Sequence, residues 1–302
     1  MLNKIYLKQA EFLLRILPHI NYEEAFALKG GTALNFFWRD FPRLSVDIDL
    51  CYTKIQDRES SLIEINDAFT KIEERLKRAF GGIKIQQKKI EGKIIGLILD
   101  WNNALVKIEA NTIIRGTIFP VVNKKLCPKA ENTFELTTSV NTVSFEDLYG
   151  GKICAALDRQ HPRDLFDLKL LLENEGITPS IIKAFLFYLI SHDRPMIEIL
   201  NPGLQDISQT FINEFNGMTS NEIKLDELVD VRKNLIQIVK ASLTEEHKKF
   251  ILSFKNRTPE WELSGIEGIE NYPSVRWKLI NLERMSKEKH TEAYKKLKDY
   301  LL

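Results

Sequence analysis

The 302-residue sequence contains few cysteines and no long apolar run. Cys51, Cys127 and Cys154 lie far apart and form no CxxC pair, which excludes a disulfide framework and a cysteine-based zinc site and predicts buried thiols in a reducing compartment. The longest apolar stretch, residues 184–190, is far too short to span a membrane. Charged residues interrupt the apolar N-terminus, so it lacks the core of a signal peptide. We therefore expect a cytoplasmic protein with no membrane segment.

The sequence also lacks an excess of charge of either sign. Lys and Arg number 43 against 42 Asp and Glu, which leaves a formal net charge of +1. This balance excludes a generally polybasic nucleic-acid binder but leaves room for a local basic groove. Hydrophobic residues make up 44% of the chain, and there are only 14 glycines and 10 prolines. That composition predicts a packed core and excludes a disordered or fibrous chain.

The first half of the chain mixes helix and strand patterns. Apolar residues recur at helical spacing in 4–17 and 58–79, and a short apolar run at 26–28 ends at a Gly-Gly pair, which predicts two helices and a buried strand. Thr32 is the predicted N-cap of a short helix that continues to Trp38. Further strands are predicted over 44–50, 83–90, 93–100 and 104–110.

From Ser144 onward the patterns are helical nearly to the end of the chain. Ser144 and Asp147 match a capping box at the start of the first of these helices. We therefore expect an α+β domain over residues 1–143, built on a mixed sheet with flanking helices. An all-α helical domain follows over residues 144–302.

Two aspartates share one face of the predicted strand 44–50. Apolar Leu44, Val46, Ile48 and Leu50 alternate with polar Ser45, Asp47 and Asp49. A period of two places the Asp47 and Asp49 side chains within about 7 Å of each other. Carboxylates so close repel unless a cation lies between them, and a hard divalent ion is the natural partner. Two polar residues facing water on an edge strand fit the same pattern, so the pair alone does not decide.

A glycine turn and a third carboxylate favour the metal site. Backbone N–H groups at Gly30 and Gly31, with the start of the following helix, form a cradle for a phosphate. Glu109 lies beside Lys107 on the polar face of the strand 104–110 and completes a three-carboxylate cluster if that strand neighbours the first. An ordinary exposed glutamate also fits, because strand pairing is not readable from the sequence.

A second block of charged residues lies within the predicted helices. Lys152 follows Gly150 and Gly151, which leave space for a close backbone approach, and its ammonium would neutralise a triphosphate. A solvated surface lysine is the simpler alternative. Arg163 and Asp167 are spaced i, i+4, which also fits a pair on a helix surface. The other charged residues of this block are Asp158, Arg159 and Asp164.

These motifs resemble those of the AbiEii/AbiGii-type nucleotidyltransferase toxins, which belong to the DNA-polymerase-β-like nucleotidyltransferase superfamily. Residues 29–34 (KGGTAL) followed by 43–50 (RLSVDIDL) resemble the superfamily pattern of a glycine turn, a short helix and Asp-x-Asp. Several motifs in the right order, spread over residues 27–282, are more specific than any one of them. The other matches are 149–159 with the family's lysine motif, 162–168 with its RDxxDL motif, and 243–250, 261 and 273–279 with its helical tail.

The resemblance implies an N-terminal polymerase-β-like nucleotidyltransferase sheet and a C-terminal helical domain. It also implies metal-dependent transfer of a nucleoside monophosphate from an NTP to an acceptor hydroxyl, with a two-metal Mg²⁺ site or with Mn²⁺ in its place. Pattern and resemblance together predict catalytic roles for Asp47, Asp49, Glu109, Lys152, Asp164 and Asp167, with Asp47, Asp49 and Glu109 as metal ligands. They predict nucleotide contacts from Gly30, Gly31, Thr32, Ser45, Lys152, Arg159 and Arg163. Whether Asp164 and Asp167 position the acceptor or orient an arginine stays open.

The family also implies partners. Its members act as toxins of type IV toxin–antitoxin or abortive-infection systems in phage defence, each opposed by a separately encoded antitoxin. Some related proteins modify tRNA acceptor ends, so the 3′ end of tRNA is one candidate acceptor. Two alternatives remain: a nucleotidyltransferase acting on a small molecule or a protein, and a non-catalytic nucleotide- or partner-binding module. The intact carboxylates and Lys152 argue against the second, because a binding-only relative could lose them without consequence.

Two further groups of residues carry weaker signals. Trp261 and Trp277 are predicted as core anchors of the helical tail rather than base-stacking platforms. Lysines cluster around the predicted hairpin and again farther along, at Lys84, Lys88, Lys89 and Lys93 and at Lys124, Lys125 and Lys129. Such clusters line an RNA backbone groove in some proteins and form a solvated face in most.

Overall fold

The computed structural model describes residues 2–302 and divides the chain into two compact units. The first unit comprises Met1–Leu148 with Asn216–Glu222, and the second comprises Tyr149–Phe215 with Ile223–Leu302. The sequence predicts a domain boundary after residue 143. In the structure the first unit continues to Leu148.

The first unit contains seven strands and several helices, and the predicted α+β class is confirmed. A π-helical turn, Leu34–Trp38, continues its second helix. The elements in chain order are α1 (Lys4–Asn21), β1 (Phe26–Lys29), α2 (Gly30–Ala33), β2 (Asp47–Tyr52), α3 (Arg58–Ala79), β3 (Lys84–Ile90), β4 (Lys93–Trp101), β5 (Ala104–Asn111), β6 (Val122–Lys125), α4 (Pro128–Phe134) and β7 (Ser139–Thr142).

The seven strands form one mixed sheet in the order β3-β4-β5-β2-β1-β7-β6. β2 pairs with β5 in parallel, and β1 pairs with β7 in parallel, while the other neighbours are antiparallel. The sequence left the pairing of β2 with β5 open, and this pairing is what brings the predicted carboxylates onto neighbouring strands.

Each face of the sheet has a distinct character. Along β5, Val106 and Ile108 are buried whereas Lys107 and Glu109 are partly exposed, as the period of two dictates. Helix α1 packs against β5, α3 packs against β4, and the two helices contact each other. They cover the apolar face and leave the charged face open for chemistry.

Short segments were missed by the sequence interpretation. It assigned no element between the strand 104–110 and Ser144, whereas this stretch contains β6, α4 and β7. The segment 216–222 also returns to the first unit. There Thr219 forms an isolated antiparallel β-bridge with Arg43, and the Met218 carbonyl accepts a hydrogen bond from the Leu44 N–H. Four-residue strands and a returning loop have too little periodicity to be found from one sequence.

The second unit is helical, in agreement with the sequence. Its α7 is almost wholly buried. The helices are α5 (Phe145–Arg159, which begins in the first unit), α6 (Pro162–Asn174), α7 (Pro179–Ser191), α8 (Met196–Leu200), α9 (Ser208–Thr210), α10 (Leu225–Ser242), α11 (Glu245–Lys255), α12 (Pro273–Glu283) and α13 (Lys287–Leu301). Within residues 2–302, no helix combines the length and the apolar character needed to cross a membrane.

All three cysteine thiols are free and buried, as the sequence predicted. Burial raises the pKa of the Cys51 thiol to about 11, so at neutral pH this sulfur is a protonated, unreactive core atom.

Candidate functional site

The glycine turn after β1 lies directly against one of the two predicted catalytic aspartates. Gly30 has a φ of +72°, and a Cβ built on it would lie 2.5 Å from Oδ2 of Asp49. Any side chain here would therefore collide with the carboxylate as well as strain the backbone. The sequence needs glycine at this position so that the turn and the carboxylate can approach each other.

The second glycine of the turn lies over buried polar side chains. A Cβ on Gly31 would lie 2.7 Å from Nη2 of Arg43 and 3.0 Å from Oγ of Ser45. Arg43 is 2% exposed and donates from Nη1 to the Leu44 carbonyl. The buried guanidinium therefore packs directly against the turn. The sequence interpretation did not assign this role to Arg43.

The prediction that Thr32 is an N-cap is wrong. The helix begins at Gly30, with Lys29 in the N-cap position and no side-chain cap. The buried Thr32 hydroxyl instead donates to the Asp47 carbonyl at 2.5 Å and lies 3.0 Å from Oγ of Ser45. Thr32 and Ser45, both predicted nucleotide contacts, thus tie the turn to the start of β2 through their hydroxyls.

Five neighbouring strands place one residue each in a single row across the charged face. The register pairs Lys29 with Asp49, Asp49 with Glu109, Glu109 with Gly96, and Gly96 with Lys88. We call Lys29, Asp49, Glu109, Gly96 and Lys88 the charged row. Asp49 and Glu109 are cross-strand neighbours in it, as the sequence predicted for the case in which their strands are adjacent.

Two lysines hold the carboxylate of Glu109. Lys107, two residues earlier on β5, places Nζ 2.5 Å from Oε2, and Lys88 of β3 binds Oε1. Burial acts to raise the pKa of Glu109, but the hydrogen bonds and charges of the two lysines outweigh it and hold the pKa below its usual value. Glu109 is therefore a fixed anion near neutral pH.

Lys107 also lies in the field of the two aspartates. It is opposite Asp47 in the register. Its bond to Glu109 raises the pKa of Lys107, and the charges of Asp47 and Asp49 act in the same direction. Among residues 2–302, no group of three or more His, Cys, Asp or Glu side chains is arranged to hold a metal ion. In this structure the positive charge next to the carboxylates is supplied by lysine.

A cavity of about 310 Å³ opens over the charged row. Lys29, Asp49, Glu109 and Lys88 line it, together with Asn111 and its neighbours at the end of β5. The cavity thus has charges of both signs and is large enough for part of a nucleotide-sized ligand.

Part of the predicted charged block forms a cluster of ion pairs around the buried Asp164 within the second unit. Lys152 is 7% exposed, and its Nζ lies 2.8 Å from Oδ1 of Asp164 and 3.0 Å from Oδ2 of Asp167. Arg159 donates from Nε to Oδ2 of Asp164 at 2.6 Å. Burial acts to raise the pKa of Asp164, but the charges of Lys152 and Arg159 hold it well below its usual range. The surface-lysine interpretation of Lys152 is therefore wrong, because its ammonium is held between two aspartates.

The Gly-Gly pair before Lys152 serves helix packing. A Cβ on Gly150 would lie 2.6 Å from the Ala184 Cβ, and one on Gly151 would lie 3.3 Å from the Tyr188 ring. The sequence interpretation expected these glycines to leave space for a close backbone approach, and within the second unit they let α5 pack closely on α7.

The remaining predicted contact residue, Arg163, lies at the start of α6. Its backbone N–H donates to Nδ1 of His161, which caps the helix, and its Nη2 lies 3.8 Å from Oε2 of Glu214. His161 is therefore the N-cap residue of α6.

A model of the AbiEii family, described as the nucleotidyl transferase AbiEii toxin of a type IV toxin–antitoxin system, matches residues 11–281. The chain belongs to the AbiEii family. It is accordingly a nucleotidyltransferase toxin of the type IV toxin–antitoxin class, and membership implies an antitoxin partner. No curated protein matches the sequence significantly.

Among solved structures, the fold is similar to that of MenT4, a nucleotidyltransferase toxin from Mycobacterium tuberculosis H37Rv. The TM-score is 0.59 at 13% sequence identity, and the alignment covers 92% of this chain and 93% of MenT4. At this identity the similarity concerns the fold, which extends over both units of the AbiEii chain.

The match of the AbiEii family spans every predicted site residue, from Gly30 to Asp167. Sequence reasoning missed Lys88, Gly96 and Lys107 as members of the site. The polar positions of β5 gave a signal for Lys107, whereas Lys88 and Gly96 join the site only through the pairing of β3, β4 and β5, which periodicity does not reveal.

Proposed function

We propose that this AbiEii protein moves a nucleoside monophosphate from an NTP to an acceptor hydroxyl, with the 3′ end of tRNA as the acceptor class. The observation that carries the proposal is the approach of the glycine turn to Asp49, where a Cβ on Gly30 would lie 2.5 Å from the carboxylate oxygen. A phosphate cradle and a metal-type ligand thus lie side by side.

The carboxylates of β2 supply the oxygen ligands that we propose for Mg²⁺. Asp47 and Asp49 offer carboxylate oxygens from one face of β2, and hard oxygen ligands are those that Mg²⁺ prefers. Both aspartates would hold the ion, with Glu109 beside them in the register. When bound, Mg²⁺ neutralises charge on the triphosphate and polarises the phosphorus that is attacked.

The remaining chemistry falls to the residues of the first unit. The backbone of the Gly30–Gly31 turn orients the triphosphate, and Lys29 lies next to it with a positive charge. The acceptor oxygen forms a bond to the α-phosphorus while the bond from that phosphorus to the bridging oxygen of the β-phosphate breaks. Pyrophosphate leaves, and the acceptor proton passes to water.

Glu109 acts as an anchor for cations in this scheme. Two roles are conceivable for Glu109 in this scheme, activation of the acceptor hydroxyl and support of a second metal. A carboxylate whose pKa is held below its usual value by two lysines is a weak proton acceptor near neutral pH. Because its two oxygens bind Lys88 and Lys107, Glu109 is better suited to holding positive charge beside the aspartates than to accepting the proton of the acceptor hydroxyl.

The experiment follows label from two positions of the NTP. Purified protein is incubated with Mg²⁺ and each NTP, carrying ³²P at either the α- or the γ-phosphorus, together with total tRNA or a cell lysate. We expect label from the α-position alone to enter tRNA, and we expect EDTA to abolish transfer and added Mg²⁺ to restore it.

Other outcomes would replace the proposal. Label in a protein band or a small molecule would move the acceptor to another class. Transfer from the γ-position would make the reaction a phosphorylation, and transfer that persists in EDTA would remove the metal from the mechanism.

A further inference from the structure

The charged row extends well beyond the predicted catalytic residues. Lys88 lies on β3, two strands from Glu109 and therefore about 10 Å away across the sheet, yet its ammonium binds the Glu109 carboxylate. Two extended side chains span the middle strand, β4, to make this contact.

Gly96 is the residue that makes the contact feasible. It lies on β4 between Lys88 and Glu109 in the register. A Cβ on it would lie 2.6 Å from the Ile108 carbonyl and 3.2 Å from Cγ of Glu109. Glu109 thus extends over the bare backbone of Gly96 toward β3, and any side chain at this position would push it back.

The row also has two ends with different surroundings. At the β1 end lie Lys29 and the glycine turn that the proposed function assigns to the triphosphate. At the β3 end lies Lys88, whose side chain is 49% exposed, on an edge strand that also carries exposed Lys84 and Lys89. If the NTP occupies the β1 end, the acceptor reaches the carboxylates from the β3 end.

We propose that Lys88 binds a backbone phosphate of a polynucleotide acceptor and that, without the acceptor, the same ammonium is held by Glu109. The inference rests on the proposed function for its assignment of ends. Lys88 is a positioning residue, because it holds the acceptor strand and does not touch the attacked phosphorus. Acceptor binding then exchanges one anion for another at Lys88 and releases one of the two cations on Glu109.

A matched control lies next to Lys88 in the chain. A β-bulge separates Lys88 from Lys89. Lys89 pairs with Ile94 in the register and lies near Glu73 of α3, on the face opposite the charged row. Removing either lysine deletes one positive charge from the same hairpin, but only Lys88 faces the cavity.

The test measures RNA binding without catalysis. The probe is a fluorescein-labelled single-stranded oligoribonucleotide of about 12 nucleotides, and its anisotropy is titrated with full-length protein in EDTA, without NTP, between about 50 and 200 mM KCl. We expect Lys88→Ala to weaken binding about tenfold and to lower the slope of log K against log salt by about 0.7. Lys89→Ala should change neither the affinity nor the salt slope. Lys88→Arg should keep both at the wild-type value.

A second measurement tests the competition between Glu109 and the phosphate. Glu109→Gln removes the internal anion, so it should tighten binding several-fold in the wild-type background and by less when combined with Lys88→Ala. A cycle of these two substitutions isolates the coupling from the general loss of one negative charge.

Three results would overturn the inference. The first is an equal loss of RNA affinity in Lys88→Ala and Lys89→Ala, and the second is an unchanged RNA affinity in Lys88→Ala. The third is failure of the wild-type protein to bind the oligoribonucleotide. Each leaves the proposed function standing if wild-type protein still transfers α-label with NTP and Mg²⁺. Absence of transfer, with the Lys88 effects on RNA binding intact, would instead overturn the proposed function.

Discussion

Gly30 sets the distance between the glycine turn and the Asp49 carboxylate. Its φ of +72° favours glycine, and a Cβ on it would also lie 2.5 Å from Oδ2 of Asp49, so both the backbone and the site require glycine here. Gly82, in the loop after α3, has a φ of +75°, but nothing lies within 4 Å of its Cβ position. At Gly82 only the backbone conformation requires glycine. The two glycines therefore separate backbone strain from interference with the site.

We expect Gly30→Ala to abolish most of the nucleotidyl transfer, by about 10²-fold or more, because it displaces the Asp49 carboxylate from the turn. Gly82→Ala should cost about 1–2 kcal/mol of stability through the same positive φ and leave transfer unchanged. Thermal unfolding and α-label transfer of the two variants check this. Equal transfer by both would show that the turn and the carboxylate do not act together.

The buried cluster around Asp164 makes a prediction about acid stability. The pKa of Asp164 is held far below its unfolded value of about 3.9. Its contribution to stability is therefore fully present above the unfolded pKa and is lost as the pH falls toward the folded one. We expect the free energy of unfolding in urea to fall steeply below about pH 4. Asp164→Asn should lower it by about 3–5 kcal/mol at pH 7.

The Asn variant also supplies the control. Because it lacks the titrating carboxylate, its stability should depend less on pH between about 2 and 5 than that of the wild type. The same slope in both proteins would mean that Asp164 does not titrate as its ion pairs with Lys152 and Arg159 require.

Single residues were predicted well where chemistry dictated them and poorly where a partner was distant in sequence. Asp49 and Glu109 are cross-strand neighbours, as the alternating patterns allowed. Ser144 accepts from the Asp147 N–H as in a capping box. The Asp147 carboxylate, however, also accepts from the backbone N–H groups of Ile118 and Phe119, a contact that no local pattern reveals.

The crossing of α5 and α7 depends on one glycine. A Cβ on Gly150 would overlap the backbone of α7 at Ala184 and Phe185, whereas one on Gly151 would only press against the Tyr188 ring. Both substitutions give the same gain in helix propensity, so their difference measures packing.

We expect Gly150→Ala to destabilise the protein by about 1–3 kcal/mol through overpacking and Gly151→Ala to be nearly neutral. Urea unfolding of the two variants measures the difference. An unchanged free energy of unfolding in Gly150→Ala would show that the packing of α5 on α7 does not require glycine at this position.

Elements with strong periodicity were predictable, and elements defined by their partners were not. The helix over 58–79 is confirmed residue for residue, because its apolar spacing and its Asp57 cap are local features. β7 has four residues and depends on β1, which lies far away in the chain.

The two tryptophans predicted as core anchors of the helical tail differ. Trp261 packs with Phe250 and Phe254 as predicted. The prediction that Trp277 is a core anchor is wrong, because this residue is 52% exposed.

At the scale of the whole molecule, membership of the AbiEii family and the proposed site together predict an effect on bacterial growth. We expect inducible expression of the wild-type chain without its antitoxin to arrest bacterial growth. The Asp47→Asn/Asp49→Asn variant should permit normal growth, because the carboxylates needed for transfer are absent. Lys89→Ala, which keeps the charged row intact, should arrest growth as the wild type does. Growth arrest by the double variant would separate toxicity from nucleotidyl transfer.

The most direct test of the central claim is transfer of α-³²P label by the Asp47→Asn/Asp49→Asn variant, measured beside the wild type after circular dichroism has shown equal folding. Asparagine keeps the size of each side chain and removes its charge, so the sheet should be retained while the proposed metal ligands are lost. We predict that labelling falls to background at every Mg²⁺ concentration. Undiminished labelling by the folded variant would contradict the account, because the chemistry would then lie elsewhere than beside the glycine turn.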